Sequence, residues 1–275
     1  IKIDQAHGGS SAQARAVNDG LDADVVTMNT TTDVEFLAGT GVVAKDWNKR
    51  FAHNAAPTTS TMLFLTRNGN PKNIKDWDDL VKPGIQVIVV NPKTGGNGRM
   101  AYLAAWGYAK KKGASDAQAA EFVSKLYKNV PVLAKGGRDA TTIFLQRNIG
   151  DVLVTFESEV VSVDREFGAG KVDAIHPSIS IVAENPVAVV ERTVAKKGTG
   201  AVAKAYLDYL YSEEAQEIAA KHALRPRSQA VLRKHAQTFK PLQLFTVDEV
   251  FGSFAEAQRV HFNDGGQFDK IYTVK

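Results

Sequence analysis

The feature that most constrains this chain is a repeated alternation of short apolar strands with helical patterns. Runs rich in β-branched and other apolar residues at 23–27, 61–66, 85–90, 151–156 and 186–190 read as strands buried on both faces. Helical patterns lie at 11–18, 33–37, 99–111, 116–128, 141–147, 157–167 and 201–221. Such alternation predicts an α/β fold of parallel sheets covered by helices. A chain of 275 residues has room for two such sheets. Because it contains neither an internal repeat nor a low-complexity linker, the two lobes are expected to be joined by strands that cross between them.

In open α/β sheets a ligand sits at the carboxyl ends of the strands, where helix N-termini present backbone N–H groups that no carbonyl has claimed. Four turns of this chain fall at such positions. QAHGGSSAQ covers residues 5–13, NPKTGGNGR covers 91–99, KGGRDAT covers 135–141, and VTFESE covers 154–159. Their glycines allow backbone to approach a ligand closely, and a helix N-terminus favours an anion. None matches the phosphate loop of nucleotide hydrolases, which needs Lys and then Ser or Thr after its last glycine. One glycine-serine turn is an ordinary cap. Four donor-rich turns in one chain point to a bound anion.

Other chemistry finds little support in the residues. With no cysteine there is no disulfide, thiolate metal site or cysteine nucleophile. The six histidines never pair at a metal-ligand spacing, and no GxSxG elbow is present. The acidic run Asp76, Asp78, Asp79 lacks the glycine and distal glutamate of a calcium loop. Neither a metal nor a cofactor is expected, and the chain does not read as an enzyme. The net charge of +4 is scattered, with no basic stripe interleaved with aromatics, which argues against nucleic acid. No apolar run reaches the roughly 20 residues that span a bilayer. The chain opens in what reads as a strand rather than a signal peptide, so an upstream segment is expected to have been removed.

Several longer stretches carry a resemblance. DQAHGGSSAQARAVNDGLDADVVT, the stretch from APTTSTMLFL through NPKTGGNGRMAYLAAWGYA, IGDVLVTFESE and YLDYLYSEEAQEIAAKHALRPR resemble the periplasmic sulfate-binding proteins of bacterial ABC transporters. The resemblance covers nearly the whole chain. It implies a two-lobed type II periplasmic binding protein, each lobe a mainly parallel sheet flanked by helices, with the ligand in the cleft between lobes. The lobes are expected at residues 1–62 with 180–275, and at 63–179. The implied ligand is sulfate or a related oxyanion, the implied partner a membrane permease, the location the periplasm, and the state a monomer if the N-terminus is complete.

Position by position, the resemblance implies Ser10 as a hydroxyl and N–H donor, and the backbone of Gly95, Gly96 and Asn97 as the donor nest of the second lobe. Gly137 offers another backbone N–H, and Phe156 stands where the family uses a tryptophan. Ala6, Ser11, Thr32 and Thr94 would support the site, with Asp33 and Arg138 in its charge network. Three positions depart from the family pattern: Gly95 replaces a donor serine, Phe156 the tryptophan, and Ala6 a serine. Asn97 adds an amide, and Asn29 to Thr32 add further donors or cap the next helix. Which oxyanion fits stays open, as does a sensing or interaction module on the same fold that has lost tight anion binding. The family also has one strand and one helix before the segment that begins at Ile1. Without that central strand, the strand expected at residues 1–3 would lack a neighbour, and the chain alone is expected to fold poorly or to associate through the gap.

Overall fold

The computed structural model describes residues 2–272. Its largest sheet has five strands: β3 (Met62–Arg67), β4 (Val87–Val90), β5 (Leu133–Ala134), β6 (Val152–Phe156) and β7 (Val172–Ile175), in the order β5-β4-β6-β3-β7. Strands β4, β5 and β6 run parallel, so their carboxyl ends reach one edge together. Each of these ends leads into a turn and then a helix: α3 (Gly96–Lys111) after β4, α5 (Gly137–Thr141) after β5, and α6 (Ser158–Phe167) after β6. Between α3 and β5 runs α4 (Asp116–Lys128), closed at its start by a reciprocal cap between Ser115 and Gln118.

The remaining strands form smaller ladders. Strand β1 (Val25–Thr27) pairs antiparallel with β10 (Val187–Val189), and β2 (Thr58–Ser60) lies between β9 (Ala183–Asn185) and β11 (Arg225–Pro226). A parallel pair joins β8 (Ile179–Ile181) to β12 (Gln243–Phe245). The helices α1 (Ser10–Asn18) and α2 (Thr31–Gly39) flank β1, their inner faces packed on Val26, Met28 and Ala188.

The sheets are mixed rather than mainly parallel, which corrects the sequence expectation. Strand β3 runs antiparallel to both β6 and β7. It follows directly on β2 and so enters the five-stranded sheet from the other end. A crossing strand has its direction set by where the chain comes from, and residue pattern alone does not record that. The expected strand at the start also does not form. Residues 2–9 are without secondary structure, and Ile3 is 59% exposed; Ile1 lies outside the described residues. So short a run gains too few ladder bonds to offset the entropy of ordering it.

Two helical expectations shift for local reasons. The helix expected from residue 99 begins at Gly96, because Gly95 is extended with φ −147° and serves as its N-cap. The pattern at 201–221 divides into α7 (Gly200–Tyr209) and α8 (Glu213–Lys221), where the Ser212 side chain accepts from the Ala215 N–H and starts a new helix.

Helix α3 is buried along nearly its whole length, between the five-stranded sheet and the C-terminal segment. At Gly107 a Cβ would stand 2.1 Å from the Phe245 ring, so the helix backbone packs directly on that side chain of β12. Beyond it His261 lies 5% exposed among Tyr102, Trp106 and Phe251, its Nδ1 3.1 Å from the Tyr102 hydroxyl. Burial pushes this imidazole from 6.5 down to about 4, and His176 is pushed to about 4 chiefly by burial as well. Between those values the unfolded chain binds protons that the folded chain refuses. Stability from His261 is therefore full above pH 6.5 and is lost as the pH falls toward 4, by about 3 kcal/mol at most. In urea unfolding at pH 7 and pH 4.5, His261→Gln is expected to lose less stability between the two than the parent protein.

Candidate anion site

Four helix N-termini meet at one place. The N–H groups of Ser10 and Ser11 at α1, Thr31 and Thr32 at α2, Gly96, Asn97 and Gly98 at α3, and Gly137 and Arg138 at α5 take no protein acceptor among the described residues. Three close approaches link these ends in series. Ser10 Oγ accepts from the Asn29 N–H at 2.9 Å, joining α1 to the residues that open α2. A Cβ on Gly96 would stand 3.0 Å from Thr30 Cγ2, so α2 and α3 touch end to end. A Cβ on Gly137 would be 3.9 Å from Asn97 Nδ2, which brings α5 to the same point. Free N–H groups and the positive ends of several helix dipoles make this a place for a compact anion.

The surrounding charges are held back from that point by neutral groups. Asp33 is 5% exposed and accepts from Ser11 Oγ at 2.8 Å and from Thr30 Oγ1 at 2.9 Å. Arg99 in the first turn of α3 donates to the same Ser11 Oγ at 3.1 Å and to Gln258 Oε1 at 3.0 Å. Ser11 thus stands between the carboxylate and the guanidinium, linking α1, α2 and α3. Outside it a cavity of about 560 Å³ is lined by Ser11, Arg15, Asp33, Lys93, Thr94 and Arg99, among others.

At the end of β6, Phe156 is half-buried against the core and pairs with Met62. The next residue, Glu157, is 2% exposed and receives a bidentate grip from Arg225, with Nε at 2.5 Å and Nη2 at 2.8 Å. Burial pushes the Glu157 carboxyl up, and Arg225 pulls the other way. The ion pair ties the edge of the five-stranded sheet to β11 in the RPR segment, whose second arginine, Arg227, binds the Ala56 carbonyl and Glu184.

The structure thus brings together Ser10, Gly96, Asn97, Gly137, Ser11, Thr32 and Asp33, with Gly95 beside them as the cap of α3; the Gly95 N–H, expected as a donor, is spent on the Asn91 carbonyl at 3.1 Å. The Ser10 hydroxyl is engaged by the Asn29 N–H and by Met28 Sδ, so its backbone N–H is the group left free. Thr94 braces the turn from behind, donating to the Asn91 and Lys135 carbonyls. Ala6 lies exposed in the irregular segment before α1. Arg138 turns outward to Glu166 on α6, so the cation beside Asp33 is Arg99. Arg99, Glu157 and Gly98 were missed as site residues. Gly98 is required because a Cβ there would lie 2.4 Å from the Val90 carbonyl oxygen, and the GGNG spacing was the available signal.

The family of bacterial extracellular solute-binding proteins matches residues 1–225. The chain belongs to that family. This solute-binding protein is 55% identical over 274 residues to a thiosulfate-binding protein of Pseudomonas aeruginosa, covering 99% of this chain and 82% of that one. Against a sulfate-binding protein of Salmonella typhimurium it is 52% identical over 272 residues, covering 98% of this chain and 83% of that one. Among solved structures, the sulfate-binding protein SubI from Mycobacterium tuberculosis H37Rv superposes with a TM-score of 0.84 at 33% identity, covering 93% and 87% of the two chains. The fold is the type II periplasmic binding protein fold.

Removing Arg225 tests how the site is braced. Arg225→Met leaves the Glu157 carboxylate buried and unpaired, at an expected cost of about 3–5 kcal/mol. A buried Glu without a cation has its folded-state pKa raised further, so stability lost at neutral pH returns as the pH falls. Urea unfolding should show the deficit of Arg225→Met shrinking from pH 7.5 to pH 5, and a Glu157→Gln, Arg225→Met double variant should recover part of it at pH 7.5.

Proposed function

We propose that this protein binds a tetrahedral sulfur oxyanion, sulfate or thiosulfate, between its lobes in the periplasm and delivers it to the membrane permease of an ABC importer. The lobes in this reading are residues 1–62 with 180–275, and residues 63–179, with the segment from β12 onward leaning across onto α3. The observation that carries the proposal is the meeting of four helix N-termini whose N–H groups have no protein acceptor among the described residues, with the buried carboxylates nearby already occupied, Asp33 by hydroxyl donors and Glu157 by Arg225. The direct ligands are the N–H groups of Ser10, Gly96, Asn97 and Gly137, with Gly95 and Phe156 shaping the wall.

Donors alone select against protons. Sulfate and thiosulfate near neutral pH only accept hydrogen bonds, whereas hydrogen phosphate brings a proton that needs an acceptor. Backbone dipoles supply donors with no counter-ion to desolvate. Gly95 and Phe156 leave fewer donors and more room than a serine and an indole, and this suits thiosulfate. Its terminal sulfur is bulkier than oxygen and a poorer acceptor.

Calorimetric titration with sulfate, thiosulfate, molybdate and hydrogen phosphate is the direct test. Binding of sulfate or thiosulfate with rejection of hydrogen phosphate is expected; binding of none of them would leave a sensing or interaction module on this fold. Phe156→Trp restores an N–H donor and is expected to tighten sulfate by about 1 kcal/mol, roughly fivefold, with less gain for thiosulfate. Since no titrating side chain is a direct ligand, the affinity for either anion should change less than about threefold between pH 6 and pH 8. A steep loss in that range, read from titrations at three pH values, would place a histidine on the ligand.

A further inference from the structure

Asn97 carries a side chain that the fold leaves half satisfied. Its amide occupies the angle between the N-termini of α3 and α5 and the end of β6, with Nδ2 3.1 Å from Thr155 Oγ1 and near Gly137. Asn97 is 8% exposed, and its Oδ1 is buried with no partner among the described residues. Thr155 is 1% exposed, and its hydroxyl accepts from Asn97 while donating to no described acceptor. So a buried acceptor without a donor sits beside a hydroxyl proton without an acceptor, and each such orphan is costly.

A half-turn of the amide gives Oδ1 and the Thr155 hydroxyl proton each other as partners and leaves the NH₂ group as the unpartnered end, since the oxygen and nitrogen of an Asn side chain are nearly alike in shape and are assigned by their hydrogen bonds. Thr155 then donates to Oδ1, and Nδ2 takes the buried place that the oxygen held, its two protons without a protein acceptor among the described residues at the start of α3. We infer that the Asn97 side chain is itself a donor to the bound oxyanion, oriented by Thr155, and a determinant that excludes protonated oxyanions. The inference rests on the oxyanion reading above. It adds a neutral donor to a cleft where Gly95 and Phe156 offer none from their side chains. Thr155 is a positioning residue, fixing which end of the amide faces the ligand.

The test combines calorimetry with the side-chain amide resonances of ¹⁵N-labelled protein. Asn97→Ala is expected to weaken sulfate or thiosulfate on the order of tenfold to a hundredfold, and Thr155→Val by a smaller factor. Asn97→Asp, nearly the same shape, should abolish binding of both anions at pH 8 by setting a carboxylate against them. Saturating sulfate or thiosulfate should move the Asn97 side-chain N–H₂ signals, which a merely structural amide would not do. Unchanged affinity in Asn97→Ala while the parent protein binds would overturn the inference and leave the oxyanion reading standing. Tight binding of hydrogen phosphate that is lost in Asn97→Ala would overturn it by assigning the amide oxygen to the ligand. A parent protein that binds none of these anions overturns both.

Discussion

The structure depends on the unpaired N–H groups at the start of helices. A helix cannot satisfy its first N–H groups internally, and an orphan donor is tolerable only near water, a cap or an anion. Here the parallel strands β4 and β5 deliver the helices α3 and α5 to one sheet edge, and α1 and α2 meet them there with their own free donors. The glycines at 95, 96, 98 and 137 follow from that demand. Gly96 meets Thr30 and Gly98 meets the Val90 carbonyl at distances that a side chain would disturb.

The charges obey the same constraint at longer range. Asp33, Arg99, Glu157 and Arg225 are all held by hydrogen bonds, and none is needed as a direct contact for an anion. Ser11 separates Asp33 from Arg99, so the carboxylate is satisfied without drawing the guanidinium into a close pair. In the proposed site neutral donors then face the anion, and the nearby formal charges are satisfied by other partners, since burial makes them costly unless they are bonded.

The parts of this arrangement written in consecutive residues were legible in the sequence. The turns HGGSS, NPKTGGNG and KGG each carry their meaning within a few positions, and strands β4 and β6 are short apolar runs. The parts that were not legible join distant positions. Ser11 and Arg99 lie 88 residues apart, and Glu157 and Arg225 lie 68 apart, and nothing local in either member names the other. Strand direction was hidden for a similar reason, because the antiparallel entry of β3 depends on its coming straight from β2. Arg138 was expected in the charge network with Asp33 because it adjoins Gly137, yet the first turn of α5 carries it toward Glu166.

The bidentate pair between Glu157 and Arg225 has a mechanical consequence. Phe156, a wall of the proposed anion site, ends β6, and its immediate neighbour is clamped to β11, which itself pairs with β2. Strand β2 continues through Thr61 into β3, and Thr61 also accepts the Glu157 N–H through its carbonyl. Wall, clamp and crossing strand form a closed loop of short, stiff links. In the two-lobed oxyanion reading proposed above, a displacement of Phe156 on binding passes directly to the crossing between β2 and β3, so the crossing itself registers whether the ligand is present.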